Sequence, residues 1–290
     1  MTFGHRGVGP YGRRAVEEDF GDVTVLHGVI RDGVARDGVT ARGVSPQGIA
    51  AQGVSPRGVA LQGVALQSGD ARGGAAGRLA VVEDAERGRV LRVHYPAGRV
   101  GPEGGGAEFR VRLPGDDDLR CAYWVRFGEG FDFVRGGKLP GLAGGTAPTG
   151  GARATGTNGF SARMMWRAGG AVVQYLYSPE QTGVWGDDLP YDVPGAGGAR
   201  RRFRAGRWHH VEHRVRLNTP GERDGVVQGW FDGELALDRR GLRFRDADTF
   251  TIDWLFFSTF FGGNEPDWAP TRDEHVDFDG FVVRATRASG

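Results

Sequence analysis

The chain has 290 residues, with 37 Lys and Arg against 36 Asp and Glu; a formal charge of +1 gives no global field for nucleic acid, and any electrostatic function must be local. Hydrophobic residues at 39% suffice for a sizeable core, yet no uncharged apolar run approaches the roughly 18 residues of a membrane helix. The single cysteine, Cys121, excludes an internal disulfide and lacks the companions of a zinc cluster, so it is expected as a small hydrophobe within a strand.

The opening MTFGHRGVGPYGRRAVEEDF carries Arg and Glu where an export signal requires a continuous apolar segment. From Gly28 to Val64 a Gly-Val or Gly-Ile pair then recurs every five residues, at Gly28, Gly33, Gly38, Gly43, Gly48, Gly53, Gly58 and Gly63. A solenoid of that period needs apolar residues two places before its valines, but Asp32, Arg42 and Gln52 stand there. Residues 1–76 therefore read as a disordered low-complexity segment, upstream of a native start, and 77–290 as one folded domain.

From Gly77 short apolar runs alternate with turn residues. Strands are predicted over 79–83, 89–95, 108–113, 120–127, 160–167, 171–177, 208–217, 226–231, 234–238, 251–259 and 277–285, with almost no helix signal. That density, with turns such as Asp232-Gly233, predicts an all-β fold, an antiparallel two-sheet jelly-roll sandwich. Residues 130–145, GFDFVRGGKLPGLAGG, read as a glycine-controlled turn presenting Lys138, the only lysine of the chain. An ammonium can be desolvated and deprotonated and a guanidinium cannot, which gives chemistry a reason to keep one lysine; chance survival is the alternative.

The segment FSARMMWRAGGAVVQYLYSP joins two strands through Ala168-Gly169-Gly170. A three-residue loop pairs Arg167 with Ala171, and hence Arg163 with Tyr175 and Ser161 with Tyr177. Period-two alternation then puts Ser161, Arg163, Tyr175 and Tyr177 on one face. Phe160, Ala162, Met164, Trp166, Val172 and Leu176 take the other, and burying that apolar set selects this register. A surface ladder of stacked Tyr and Arg is the structural alternative to a site.

Other clusters weigh less. His209, His210, Glu212 and His213 invite a zinc reading, but on a strand His209 and His213 lie about 13 Å apart, and the run reads as a solvated or groove-facing strand. Asp273, Glu274, Asp277 and Asp279 lack the glycine and terminal Glu of a calcium loop and read as turn acids. Trp185, Trp268 and Tyr191 fall in loops rich in Gly, Asp and Pro, where a ring is available to a sugar face, while Trp254 reads as core.

Gly137-Lys138-Leu139-Pro140-Gly141-Leu142, the strand Phe160 to Arg167 and Tyr175-Leu176-Tyr177 together resemble the jelly-roll polysaccharide lyases. The similarity is to the family 14 alginate lyases above all, and more loosely to the family 20 glucuronan lyases. Gly206-Arg207-Trp208, Val215-Arg216-Leu217-Asn218, the Trp230 to Gly233 hairpin and Thr259-Phe260-Phe261-Gly262-Gly263 extend it over about residues 78–285. The resemblance implies β-elimination on a uronic-acid polymer, alginate before glucuronan, with a catalytic set of Lys138, Ser161, Arg163, Tyr175 and Tyr177.

Elimination requires neutralising the C6 carboxylate, removing the C5 proton and protonating the C4 oxygen. Arg163 offers a permanent fork for the carboxylate. Tyr175 or Tyr177 is the acid, or a base if ionised, and Lys138 is either the base or a second carboxylate clamp. Asn158, His94, Arg167 and Gln174 are taken as substrate-binding residues, with His94 also an alternative base. No metal or cofactor is required. The implied partner is an acidic polysaccharide, with no nucleic acid or membrane, for a monomer whose polymeric substrate implies secretion. A non-catalytic carbohydrate-binding module and a glycoside hydrolase are the alternatives; the hairpin patch lacks the carboxylate pair that a hydrolase needs.

Overall fold

In the computed structural model the described residues are 77–192, 199–263 and 265–286, with five short strand segments between 23 and 62. The pentad repeat thus lies for the most part outside the described residues. The described pieces there are β1 (Val23–His27), β2 (Ile49–Ala50), β3 (Val54–Ser55), β4 (Gly58–Val59) and β5 (Leu61–Gln62). The main body begins with β6 (Leu79–Asp84), β7 (Gly88–Tyr95), the short helix α1 (Gly101–Gly105), β8 (Gly106–Asp116) and β9 (Asp118–Phe127). It continues through β10 (Gly136–Gly145), β11 (Gly159–Arg167), β12 (Val172–Tyr177) and β13 (Asp187–Pro190). The last five strands are β14 (Trp208–Arg216), β15 (Gly225–Phe231), β16 (Glu234–Leu242), β17 (Ile252–Phe261) and β18 (Glu274–Ala285).

Two sheets face each other. The larger runs β16-β15-β14-β9-β18-β1-β5, with β7 also on β18 and β6 on β7; the smaller runs β13-β12-β11-β10-β17-β8-β2. From β6 onward the pairings are antiparallel, as in the predicted jelly-roll sandwich. Among the described residues no helix is long and apolar enough to cross a membrane.

Alternation builds the core. On β9 Leu119, Cys121, Tyr123, Val125 and Phe127 point inward, and β11 answers with Phe160, Ala162, Met164 and Trp166. Trp166 is fully buried, with Phe127 and Phe261 at 5.3 and 5.4 Å between ring centroids, and its Nε1 donates to the Phe133 carbonyl at 3.1 Å. The hairpin register is the expected one: Ser161 pairs with Tyr177, Arg163 with Tyr175 and Trp166 with Val172.

One expectation is overturned in a way that matters for function. Residues 136–145 form no turn; they are β10, a strand at the centre of the smaller sheet between β11 and β17. Its glycines answer to packing. A Cβ on Gly137 would fall 2.1 Å from the Trp166 ring and 2.4 Å from the Phe260 carbonyl oxygen. Pro140, which has no N–H for the ladder, sits where the register shifts between Leu139 and Gly141, and its carbonyl accepts from Tyr123 Oη at 3.0 Å. The bulge changes parity: Leu139 and Leu142 both face the core, leaving Lys138 and Ala143 on the open side. The short edge strand β13 also lacked a sequence signal, its residues Asp187-Asp188-Leu189-Pro190 being largely polar.

Candidate active site

The open face of the smaller sheet carries a trough with a cavity volume of about 540 Å³, within the range of small-ligand sites. Each side chain reaches it by parity: Lys138 from β10, Arg163 and Arg167 from β11, Tyr175 and Tyr177 from β12, and Phe260 from β17. Loop residues Thr149 and Gly150, and the tryptophans Trp185 and Trp268, complete the lining.

At its centre Lys138 Nζ lies 3.7 Å from the centroid of the Tyr175 ring and 2.8 Å from Met165 Sδ. No carboxylate forms a salt bridge with it among the described residues. Burial, then the charges of Arg163 and Arg167, hold its pKa well below that of an ordinary lysine. Tyr175 and Tyr177 meet edge to face at 5.5 Å between centroids. Burial, then the neighbouring Tyr177, pushes the Tyr175 phenol upward, so near neutral pH it carries its proton. Tyr177 Oη accepts from the Gly151 amide at 3.4 Å.

Arg163 is 1% exposed. Its Nη1 donates to Ser258 Oγ at 3.0 Å, and its Nη2 donates to Thr149 Oγ1. Ser258 Oγ in turn donates to Glu108 Oε2 at 2.9 Å, and this carboxylate lies 4.0 Å from Arg163 Nη1. Burial pulls the Arg163 pKa down, opposed by Glu108. Arg167 forks onto Asp188 at 2.8 and 2.6 Å, with its guanidinium carbon 5.5 Å from the Tyr175 ring centroid.

The structure therefore brings Lys138, Arg163, Arg167, Tyr175 and Tyr177 together and separates the other expected site residues. Ser161 shares their face but is fully buried, its hydroxyl donating to the Pro148 carbonyl at 2.7 Å beneath the loop that supplies Thr149. Asn158 braces a turn, accepting from Thr155 N at 2.9 Å and donating to Arg153 O at 3.0 Å. Gln174, an even-numbered residue like Val172 and Leu176, faces the core; it donates to Ala162 O at 2.7 Å and accepts from Tyr191 Oη at 3.0 Å. Its expected substrate contact is thereby closed. His94 pairs with His275 on the larger sheet, whose outward side is the opposite surface of the sandwich, so neither a groove contact nor a base role fits its position.

Three further readings change. Tyr191 is fully buried and unavailable for stacking on a sugar. Trp254 is buried, but on the open side with Ala143, Ala147 and Phe256, its ring 4.7 Å beneath the Arg112 guanidinium carbon. The histidine run is solvated on one side only: His210 and Glu212 are half-buried, whereas His209 and His213 are buried. His209 bridges Asp232 at 2.9 Å and the Arg204 amide at 3.0 Å, while His213 is buried and held neutral by desolvation, its pKa lowered to about 3. The acids at 274–279 serve ion pairs, Glu274 with Arg272, Asp277 with Arg92 and Arg126, and Asp279 with Arg87. Among the described residues no group of three or more His, Cys, Asp or Glu could hold a metal ion.

Glu108, Thr149, Ser258 and Glu265 escaped the sequence reading, and the hairpin alone hid the two carboxylates that line the trough. A signal existed for Ser258, a polar residue alternating with Phe256 and Phe260 along β17; Thr149, in a loop, offered none.

The profile of the family Polysaccharide lyase 14 matches residues 83–281, spanning both the sandwich and the trough. The chain belongs to this family of polysaccharide lyases. Alginate lyase Aly36B is 27% identical, with a TM-score of 0.63, over 76% of this chain and 88% of that one. The PL-14 alginate lyase from Aplysia kurodai is 29% identical, with a TM-score of 0.61, over 73% and 88%. Endo-beta-1,4-glucuronan lyase from Trichoderma reesei is far less similar, at 13% identity over 72% and 87% with a TM-score of 0.46, and carries no weight on substrate. No curated protein sequence matches the chain. The chain is thus an enzyme of the polysaccharide lyase class, and its relatives support a uronic-acid polymer as substrate.

Proposed function

We propose that this lyase cleaves alginate by β-elimination in the trough, with Lys138 as base and Tyr175 as acid. The observation that carries the reading is the single lysine amine held over the Tyr175 ring beside Arg163 and Arg167, with no carboxylate in salt-bridge contact among the described residues and burial and the arginine charges outweighing the more distant Asp188. A depressed amine pKa leaves a neutral Nζ to take the C5 proton. As the C5–H bond breaks, its electrons form the C4–C5 double bond and the C4–O4 bond breaks. The raised phenol of Tyr175 delivers its proton to O4 and recovers one from the Lys138 ammonium or from water. Arg163 neutralises the C6 carboxylate so that the developing enolate is tolerated. Glu108 and Ser258 fix the guanidinium from one side and Thr149 from the other. Ser161 and Asn158 act indirectly, as positioning residues for the 146–158 loop. The preference for alginate over glucuronan is supported by the similarity to two proteins named as alginate lyases.

Alginate, glucuronan and neutral glucans, each incubated with the protein, test this. Elimination on alginate gives the ultraviolet absorbance of an unsaturated uronate, and Lys138→Arg and Tyr175→Phe abolish most of it. Reducing ends without absorbance identify a hydrolase, and binding without either identifies a binding module.

A further inference from the structure

Two tryptophans line the trough, and they are not equivalent. Trp268 lies under cations, with the Arg135 guanidinium carbon 5.0 Å and that of Arg167 5.9 Å from its ring. Trp185 is 52% exposed, one of three large hydrophobic side chains open to solvent among the described residues, and no cation stacks on it there. Leaving an indole in water forgoes burial that the fold could have used.

The loop that carries Trp185 is held in place. Gln181 is 2% exposed, and its Nε2 donates to the carbonyls of Gly183 and Val184 at 3.1 and 3.2 Å. Asp187 ties the other end, accepting from the Thr182 amide at 3.2 Å and its hydroxyl at 2.8 Å. Gly186 packs so closely on Tyr177 that a Cβ would lie 2.7 Å from its ring. Trp185 itself lies along Gly151, whose amide donates to Tyr177. An exposed ring is thus fixed beside the second trough tyrosine, at low entropic cost for a ligand that covers it.

We infer that Trp185 is a stacking platform forming a sugar subsite at the Tyr177 end of the trough, taking the C–H face of a uronate ring next to the one being cleaved. A pyranose presents axial C–H groups with slight positive character, matched to the negative face of an indole. Such a contact is made equally before and during elimination, so it acts on binding. The inference rests on the proposed use of the trough for a uronate polymer.

The test separates the two. Affinity for alginate is measured by gel retardation for Lys138→Met and for Lys138→Met/Trp185→Ala, which reads the platform without turnover. Steady-state kinetics on alginate are then compared for the wild type, Trp185→Ala and Trp185→Phe. The double variant is expected to lose roughly five- to tenfold in affinity, and Trp185→Ala to raise KM by the same factor. Its kcat stays within about twofold, and Trp185→Phe recovers most of the loss. Equal affinity of Lys138→Met with and without the indole overturns the platform. So does a Trp185→Ala defect confined to kcat, which would make the ring a prop for Tyr177. Absence of unsaturated product from the wild type overturns the elimination chemistry instead, and leaves the affinity comparison standing.

Discussion

On the outward face of the larger sheet, Arg126 reaches both Asp84 and Asp277, Arg92 forks onto Asp277, and Arg120 and Arg284 share Glu212. Arginines stack on Trp124, Trp208 and Trp230 there. The trough face of the smaller sheet uses much the same residue types, yet its Lys138 has no salt-bridge partner among the described residues, and Arg163 meets its carboxylate only at 4.0 Å. On one face every cation named is matched and the result is a brace. On the other, Arg167 is matched by Asp188, but Lys138 and Arg163 are desolvated and undermatched, which makes room for an anionic substrate. Aromatic and arginine content alone does not distinguish a site from a scaffold; charge matching does.

The largest effect that sharpens this contrast is at Lys138. Lys138→Met lowers kcat/KM on alginate by roughly 10²–10⁴-fold without loss of stability. Because folding depresses the amine pKa, the unfolded chain binds that proton more tightly, and the native lysine opposes folding at neutral pH. Stability of the wild type therefore rises relative to Lys138→Met as pH climbs toward the ordinary lysine pKa of about 10.4, as denaturant titrations at neutral and alkaline pH will record. Asp277→Ala does the reverse. Its side chain is 1% exposed between Arg92 and Arg126, so its loss costs about 3 kcal/mol of unfolding free energy and leaves kcat of the folded enzyme unchanged.

The pH profile is a finer probe. Activity rises as Lys138 loses its proton, at a pH well below the usual lysine range, and falls when Tyr175 ionises above the usual tyrosine range. The acid limb disappears from the residual activity of Lys138→Met, and an unchanged limb would take the base role away from the amine. The smallest effect is at His94 on the braced face, where His94→Ala keeps alginate turnover within about twofold, as for a surface substitution away from the site. A hundredfold loss there would dissolve the distinction between the faces.

The sequence made the β11–β12 hairpin legible because both of its determinants are local: a three-residue loop and an apolar set that only one register buries. The same parity, carried one residue further, puts Gln174 on the core face, against its expected substrate contact, and the amide finds its partners there. Strand β10 was illegible because its glycines are explained by Trp166 and Phe260, which lie on other strands. Its Pro140 is tolerated at a bulge that no local propensity reveals. The sequence isolated Lys138 as the only lysine; its place beside Tyr175 depends on that bulge. Glu108 and Ser258 entered the site for a similar reason, through the pairing of β8 with β17.

The most direct measurement is alginate turnover, followed by the ultraviolet absorbance of the new double bond, with the wild type and Lys138→Met side by side. The account predicts steady growth of absorbance for the wild type and almost none for the variant, at equal folded concentration. Growth at a similar rate in both, or new reducing ends with no absorbance in the wild type, would contradict it.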